Sequence, residues 1–334
     1  MPLSSGRLRP IREKMSFLRL FGTRRARIAF NVVSGVIAIV VGVLTARHFI
    51  ANGWPLGHAN VLGVLGAGAL FLSAFGFKAW GWHRLFRHDQ RPGVLGLAAA
   101  GGAATVTGLA LPGRADEVVR ISVVRRFPGK FPGKPVGIGS ICLSLFLLGL
   151  IDNAALTPLA AATAGVGAPS GWIQAGFIVV AVAGLLAGTF VAFLPRLVCH
   201  RWVERFKFVR WLAQHTASPR EAAKAWGLVV VSWGLRVLAV FVLLDALSVR
   251  TSIPLAMGFL CASASAAALP IAPAGGVAQA GAGAAILVSA GVHASEATAF
   301  AIAAQGMIVL AGAGVIVLTT SMHLARARFR AYAF

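Results

Sequence analysis

Long apolar runs recur along this chain, and short segments rich in Lys and Arg separate them. Hydrophobic residues make up 58% of the 334 residues and charged residues only 12%, more apolar surface than a soluble core of this size can bury. Because a helix needs about 20 apolar residues to cross a bilayer, we predict an all-α polytopic membrane protein with about six full spans. The spans are placed at Ile28–Ala46, Asn60–Phe77, Gly137–Leu156, Ile173–Leu194, Ala225–Leu247 and Glu296–Thr320.

The basic residues, which give a net charge of +22, lie in the short segments beside these runs. This placement predicts contact with anionic membrane lipids and no nucleic-acid partner. Nearly all of these residues fall on one side of the predicted bundle, where the positive-inside rule places the cytoplasm. Arg47 and Arg250 fall on the other side, and Arg236 lies within a span.

This charge distribution predicts a multi-pass protein of the plasma (inner) membrane with both termini in the cytoplasm. The first span is expected to be an uncleaved anchor. A basic amino-terminal segment covers residues 1–27, a single membrane domain covers 28–325, and a short basic tail covers 326–334. Cytoplasmic loops are expected at 78–92, 114–136 and 195–224.

The charge-free stretch from Gly93 to Gly113 is long enough to cross, since a helix of this length measures about 31 Å. A crossing would, however, carry the bases between Arg114 and Lys134 to the outer face, against the positive-inside rule. We therefore predict a re-entrant hairpin over about 93–113 that opens inward and is broken at Gly101-Gly102.

A second re-entrant hairpin, opening outward, is predicted over about 253–293. This segment follows Arg250 on the outer face and must return there before the last span begins at Glu296. Its two apolar arms lie on either side of a segment rich in Pro and Gly. Two hairpins of opposite orientation suggest an inverted repeat, an arrangement that many transporters share.

Charged residues at helical spacing follow the first hairpin. Asp116 and Glu117 precede Arg120 by four and three residues, so the acids and the base can pair on one helical face. Two interpretations remain open: an interfacial amphipathic helix whose charges are solvated, or a gate or headgroup contact at the inner mouth of the protein.

These residues carry a resemblance to a known family. Leu111-Pro112-Gly113-Arg114, followed by Glu117 and Arg120, resembles the Pro-Gly-Arg-x-Gly-Glu-x-x-Arg signature of the lysylphosphatidylglycerol synthase transmembrane family, with Asp116 in place of the second Gly. Asp152 is similar to the acid of the family's Glu-Arg-x-x-Asp pattern, although the Glu-Arg is absent. The resemblance covers about residues 30–320.

A second part of the resemblance lies in Leu269–Ala280, which is similar to the family's Pro-rich hairpin. It contains Pro273, Gly275 and Gly276, and Gln279 is the nearest polar residue to the position where the family has an acid. The resemblance implies lipid movement and makes these positions, with Arg114, Glu117, Arg120 and Asp152, candidates for lipid binding or gating.

Two ionisable residues, Asp152 and Arg236, lie within predicted spans, where a charge is costly and usually functional. They could form a buried ion pair that orients helices. Alternatively, Arg236 could clamp a lipid phosphate together with the amino-terminal ends of helices beginning at Ala103 and Val277. The glycine pairs also have a simpler interpretation, since small residues let membrane helices pack closely.

No catalytic motif, metal-ligand spacing or phosphate-binding loop is present in the sequence, so neither a cofactor nor a metal is expected. The first functional hypothesis is a translocase, or flippase-like protein, that moves an anionic phospholipid or lipid-linked glycan between leaflets. The alternatives are a membrane-embedded transferase and a non-catalytic accessory subunit of a glycosyltransferase or lipid synthase.

The predicted topology is tested by cysteine labelling between Ala115 and Lys134. In a background without native cysteines, single cysteines placed there should react with a membrane-impermeant maleimide only after the cells are opened. Labelling of these positions in intact cells would show that Gly93–Gly113 crosses the membrane.

Overall fold

The computed structural model describes most of the membrane domain. Described are residues 59–88, 90–110, 115–126, 136–167, 171–198, 218–268 and 275–332, with short stretches at 40, 43–44, 47–51 and 53–57. The statements that follow concern these residues.

The described residues form an all-helical bundle without strands. Its helices are α1 (Val61–Leu85), α2 (Val94–Ala110), α3 (Ala115–Arg126), α4 (Ile138–Ala162), α5 (Trp172–Val198), α6 (Pro219–Ala246), α7 (Ile253–Ala268), α8 (Gly275–Ser289) and α9 (Ala294–Tyr332). A short π-helix, Thr163–Gly167, continues α4. Among the described residues, five helical segments are long and apolar enough to cross a membrane: Val61–Leu85, Ile138–Gly165, Trp172–Leu194, Pro219–Ala246 and Ala294–His323.

Helices α1 and α6 pack against each other in antiparallel orientation along their whole length. At one end the backbone amide of Asn60 donates to the carbonyl of Ala246 at 2.8 Å. In the middle the buried hydroxyl of Ser232 donates to the carbonyl of Ala74, also at 2.8 Å. These two hydrogen bonds fix the register of the two helices, because they join positions far apart along the same seam.

Five of the six predicted spans correspond to long helices of the structure, and the prediction of an all-α membrane protein is confirmed. The sixth, Ile28–Ala46, lies almost entirely outside the described residues. Several helices extend beyond the predicted spans: α1 continues past Phe77 to Leu85, α4 continues past Leu156 to Ala162, and α6 begins at Pro219 instead of Ala225. Lys78 and Arg84, expected in the loop 78–92, are therefore helical residues.

The first hairpin is not broken where we predicted. Helix α2 runs without interruption through Gly101 and Gly102, and its partner is α3, which packs against it. Consequently no helix begins at Ala103. Residues 111–114 between these two helices, where the family signature begins, lie outside the described residues.

The second predicted hairpin corresponds to α7 and α8, which pack against each other. Helix α8 begins at Gly275, two residues before the predicted start at Val277. The segment between the two arms, residues 269–274, lies outside the described residues. The re-entrant character of both hairpins, their inverted relation and the cytoplasmic loops remain predictions.

The glycine pair in α2 has a packing role. A Cβ atom built on Gly102 would lie 2.4 Å from the carbonyl oxygen of Gly312 in α9, a separation that no real side chain tolerates. On Gly101 the corresponding atom would meet only a ring carbon of Phe75 at 4.0 Å. The interpretation that small residues permit close helix packing is thus correct for Gly102.

These adjacent glycines provide a matched test. Gly102→Ala should lower the free energy of unfolding by about 1–3 kcal/mol, because α2 and α9 must separate to admit the methyl group. Gly101→Ala should not destabilise the protein, since Ala is the better helix former and has room. Thermal unfolding of the two variants in detergent measures the difference, and equal melting temperatures would contradict the packing role.

Candidate functional site

An ion pair inside the bundle joins α1 to α4. The ammonium group of Lys78 donates to Oδ2 of Asp152, and the indole Nε1 of Trp233 in α6 donates to Oδ1 of the same carboxylate at 3.0 Å. Asp152 therefore has a partner on each oxygen, as a carboxylate inside a membrane protein requires. Three of the long helices meet at this point.

Arg236 lies next to this pair but is held differently. Its guanidinium carbon is 4.9 Å from the centre of the Trp233 ring and 5.8 Å from the centre of the Phe75 ring. These are cation–π distances. Among the described residues no acceptor hydrogen-bonds to its guanidinium, although its charge interacts with that of Asp152. Arg236 thus retains its hydrogen-bond donors for a further partner.

Arg120 of α3 adds a third cation. Its guanidinium approaches Oδ2 of Asp116, one turn earlier in the same helix, at 3.8 Å. Its Nε atom is buried and has no hydrogen-bond partner among the residues that the structure describes. The charge of Arg120 also repels those of Lys78 and Arg236, which places it within electrostatic range of both.

We call Lys78, Arg120, Asp152 and Arg236 the charged cluster. With Asp116, three cations face two carboxylates, so positive charge is in excess. Such a site attracts an anion, and the planar guanidinium groups suit a phosphate or carboxylate that accepts two hydrogen bonds at once. The cluster contains no nucleophile held by a general base and therefore does not resemble a catalytic centre.

The cluster lies well inside the bundle. Arg236 is about 15 Å along α6 from Ala246 and about 22 Å from Glu221, because each helical residue rises 1.5 Å. Lys78 is about 9 Å along α1 from Arg84. The side chains of Lys78 and Asp152 keep 21% and 23% of their surface exposed, so the cluster is partly open to its surroundings.

The structure brings together three of the sequence-predicted site residues, namely Arg120, Asp152 and Arg236. Arg114 and Pro273 lie outside the described residues. Glu117 is exposed on α3. Gly275, Gly276 and Gln279 lie in the first turns of α8, where the carbonyl of Gln279 accepts from the hydroxyl of Ser263 in α7 at 3.0 Å. A role of these six residues in binding lipid stays a prediction.

Lys78 is the site residue that we missed. The sequence placed it just after a span, in a basic loop, because the apolar run weakens after Phe77. The signal that could have identified it is the pair Trp80 and Trp82, which extends the apolar character of the helix by more than one turn. The direct partner of Asp152 is accordingly Lys78, and of the two alternatives for Arg236 the ion pair with Asp152 is not formed; the two charges interact at longer range.

Within the described ranges, no metal site offers another interpretation of the charged cluster. They contain no group of three His, Cys, Asp or Glu side chains arranged to hold a metal ion.

A comparison with protein families gives one match. The family model described as the lysylphosphatidylglycerol synthase TM region matches residues 31–315. No curated protein and no solved structure gives a significant match.

The pair between Lys78 and Asp152 is tested by a double-mutant cycle. Lys78→Met and Asp152→Asn should each lower the free energy of unfolding by up to about 3 kcal/mol, because each leaves a charge without its partner in the bundle. The double variant should lose less than the sum of the two, since no such charge remains. Thermal unfolding in detergent measures all three.

Arg125→Met is the control, since Arg125 is exposed at the end of α3, and should change stability by less than about 0.5 kcal/mol. Additive losses in the cycle would mean that Lys78 and Asp152 do not interact.

Proposed function

The chain belongs to the lysylphosphatidylglycerol synthase transmembrane-region family, and from this premise we propose that it is a translocase that moves an anionic amphiphile between the leaflets of the plasma (inner) membrane. The amphiphile is a phospholipid or a lipid-linked glycan whose headgroup carries a phosphate. Its phosphate binds at the charged cluster while the acyl or prenyl chains remain in the lipid.

One observation carries this proposal: Arg236 is a cation in the interior of a membrane domain whose guanidinium contacts aromatic faces instead of a carboxylate. Within a membrane, a charge placed in this way is costly and marks a substrate pathway more often than a structural pair. An arriving phosphate would supply the acceptors that Arg236 lacks among the described residues.

The neighbouring residues support the same chemistry. Lys78 and Arg120 add positive charge that offsets the cost of moving a phosphate out of water. Asp152 holds Lys78 in place and limits the excess of positive charge, so that the headgroup is not bound too tightly to leave. Trp233 connects the two halves of the site, since it donates to Asp152 and stacks on Arg236.

The proposal is tested with purified protein in liposomes that contain a trace of fluorescent phosphatidylglycerol. Dithionite added outside destroys the fluorescence of accessible lipid, so the rate of the slow phase reports movement between leaflets. Arg236→Gln should slow this phase at least about tenfold, because the neutral amide cannot hold the phosphate during the crossing. Arg236→Lys should give an intermediate rate, since Lys has a charge but no planar fork.

Arg220→Gln is the matched control, because Arg220 is exposed in the first turn of the same helix, and its rate should equal that of the wild type. An unchanged rate in Arg236→Gln would reject the role of Arg236. A wild-type protein that moves no lipid would reject the translocase and favour the transferase or the accessory subunit, which differ in whether product is released.

A further inference from the structure

A second group of charged residues lies at the end of the α1–α6 seam, about 9 Å along α1 from Lys78. Oε2 of Glu221 accepts from Arg84 at 3.2 Å and from Arg91 at 2.8 Å, while Oε1 accepts from Lys224 at 3.2 Å. We call these four residues the surface cluster. Three cations share one carboxylate there.

The hydrogen-bond donors of the surface cluster exceed its acceptors. Arg84 gives Glu221 only one bond through Nη1, and its Nε atom is buried without a partner. The side chain of Lys224 is 60% exposed and has two further N–H groups. Arg91, in contrast, is fixed by a second bond from Nε to the carbonyl of Phe86 at 3.1 Å. Arg84 and Lys224 are thus the cations that can bind an additional anion.

Two exposed tryptophans indicate the depth of the surface cluster relative to a bilayer. Trp80 precedes Arg84 by one turn of α1 and is 44% exposed, and Trp226 follows Lys224 in α6 and is 45% exposed. The residues beside them, Gly81 and Ala225, come close across the seam, since a Cβ atom built on Gly81 would lie 3.1 Å from the carbonyl oxygen of Ala225, so the two tryptophans occupy similar levels along it. Trp side chains concentrate at the headgroup level of a bilayer.

We propose that Arg84 and Lys224 form a binding site for the phosphodiester group of an anionic phospholipid in the leaflet at this end of the bundle, where a bound phosphate takes the place of Glu221 as their acceptor. The phosphate oxygens accept from Arg84 and Lys224, and the glycerol and upper acyl chains lie against Trp80, which is one turn from Arg84 on the same face of α1. Basic pockets between helices at the headgroup level bind anionic lipids in this way.

The surface cluster and the charged cluster both contain residues of α1 and α6. Along α1 the cations follow one another from Arg84 to Lys78, and Arg236 of α6 lies deeper. A headgroup that binds at the surface cluster is therefore placed next to the translocation site of the proposed function. Binding itself does not depend on translocation, because the surface cluster shares no residue with the charged cluster.

The site is tested by native mass spectrometry of delipidated protein titrated with phosphatidylglycerol or phosphatidylcholine. The experiment uses the Arg236→Gln background as well as the wild-type chain, so that a contribution of the charged cluster can be subtracted. Arg84→Gln/Lys224→Gln should weaken binding of phosphatidylglycerol about tenfold and leave phosphatidylcholine unaffected. Arg125→Gln/Arg126→Gln removes the same charge from exposed positions of α3 and should have no effect.

A second variant changes binding in the opposite direction. Glu221→Gln removes the internal carboxylate that competes with the phosphate, so it should strengthen binding of phosphatidylglycerol, whereas loss of a purely structural ion network would weaken it. Unchanged binding in Arg84→Gln/Lys224→Gln, or weaker binding in Glu221→Gln, would overturn the site. Complete competition by millimolar inorganic phosphate would overturn the lipid and assign the site to a soluble anion.

Retention of phosphatidylglycerol by the Arg236→Gln variant separates the two proposals. Failure of lipid movement in liposomes would then reject the translocase without affecting the surface cluster.

Discussion

The ion pair between Lys78 and Asp152 is the interaction on which the interior of this protein depends, because an unpaired charge inside a membrane protein is energetically costly. The pair joins α1 to α4, and the bond from Trp233 to the same carboxylate adds α6. Both oxygens of Asp152 thus accept hydrogen bonds from other residues. The guanidinium group of Arg236 contacts aromatic rings instead and keeps its N–H donors available. The positive excess of the site follows from its three cations, Lys78, Arg120 and Arg236, which outnumber the two carboxylates of Asp152 and Asp116.

The sequence was sufficient for the class of protein and for most of its long helices, since spans depend on the number of consecutive apolar residues. It failed at boundaries that depend on tertiary contacts. Lys78 can lie inside the bundle because Asp152 neutralises it, and no local pattern near residue 78 reports an acid 74 positions later. Likewise, Gly101 and Gly102 look alike in the sequence, yet only Gly102 faces the backbone of α9.

The residues of the candidate site likewise divide into those that the sequence identified and those that only the fold brought together. Asp152 and Arg236 could be identified because an ionisable residue in an apolar run is conspicuous by itself. The role of Arg120 was indicated by a motif, but its proximity to Lys78 and Arg236 required the fold of α3 against the bundle. The surface cluster was not foreseen, since Arg84 and Glu221 are 137 positions apart and meet only through the register of α1 and α6.

The contact between Gly102 and Gly312 has a mechanical consequence. At this point the two backbones meet without intervening side chains, so a relative shift of α2 and α9 would disrupt close packing. This contact favours a movement in which α2 and α9 stay together. If the protein alternates between two states, the relative motion takes place between the α2–α9 pair and the α1–α6 pair. The charged cluster then lies on both sides of that boundary. Arg120 is carried by α3, which packs beside α2, whereas Lys78 and Arg236 lie on α1 and α6.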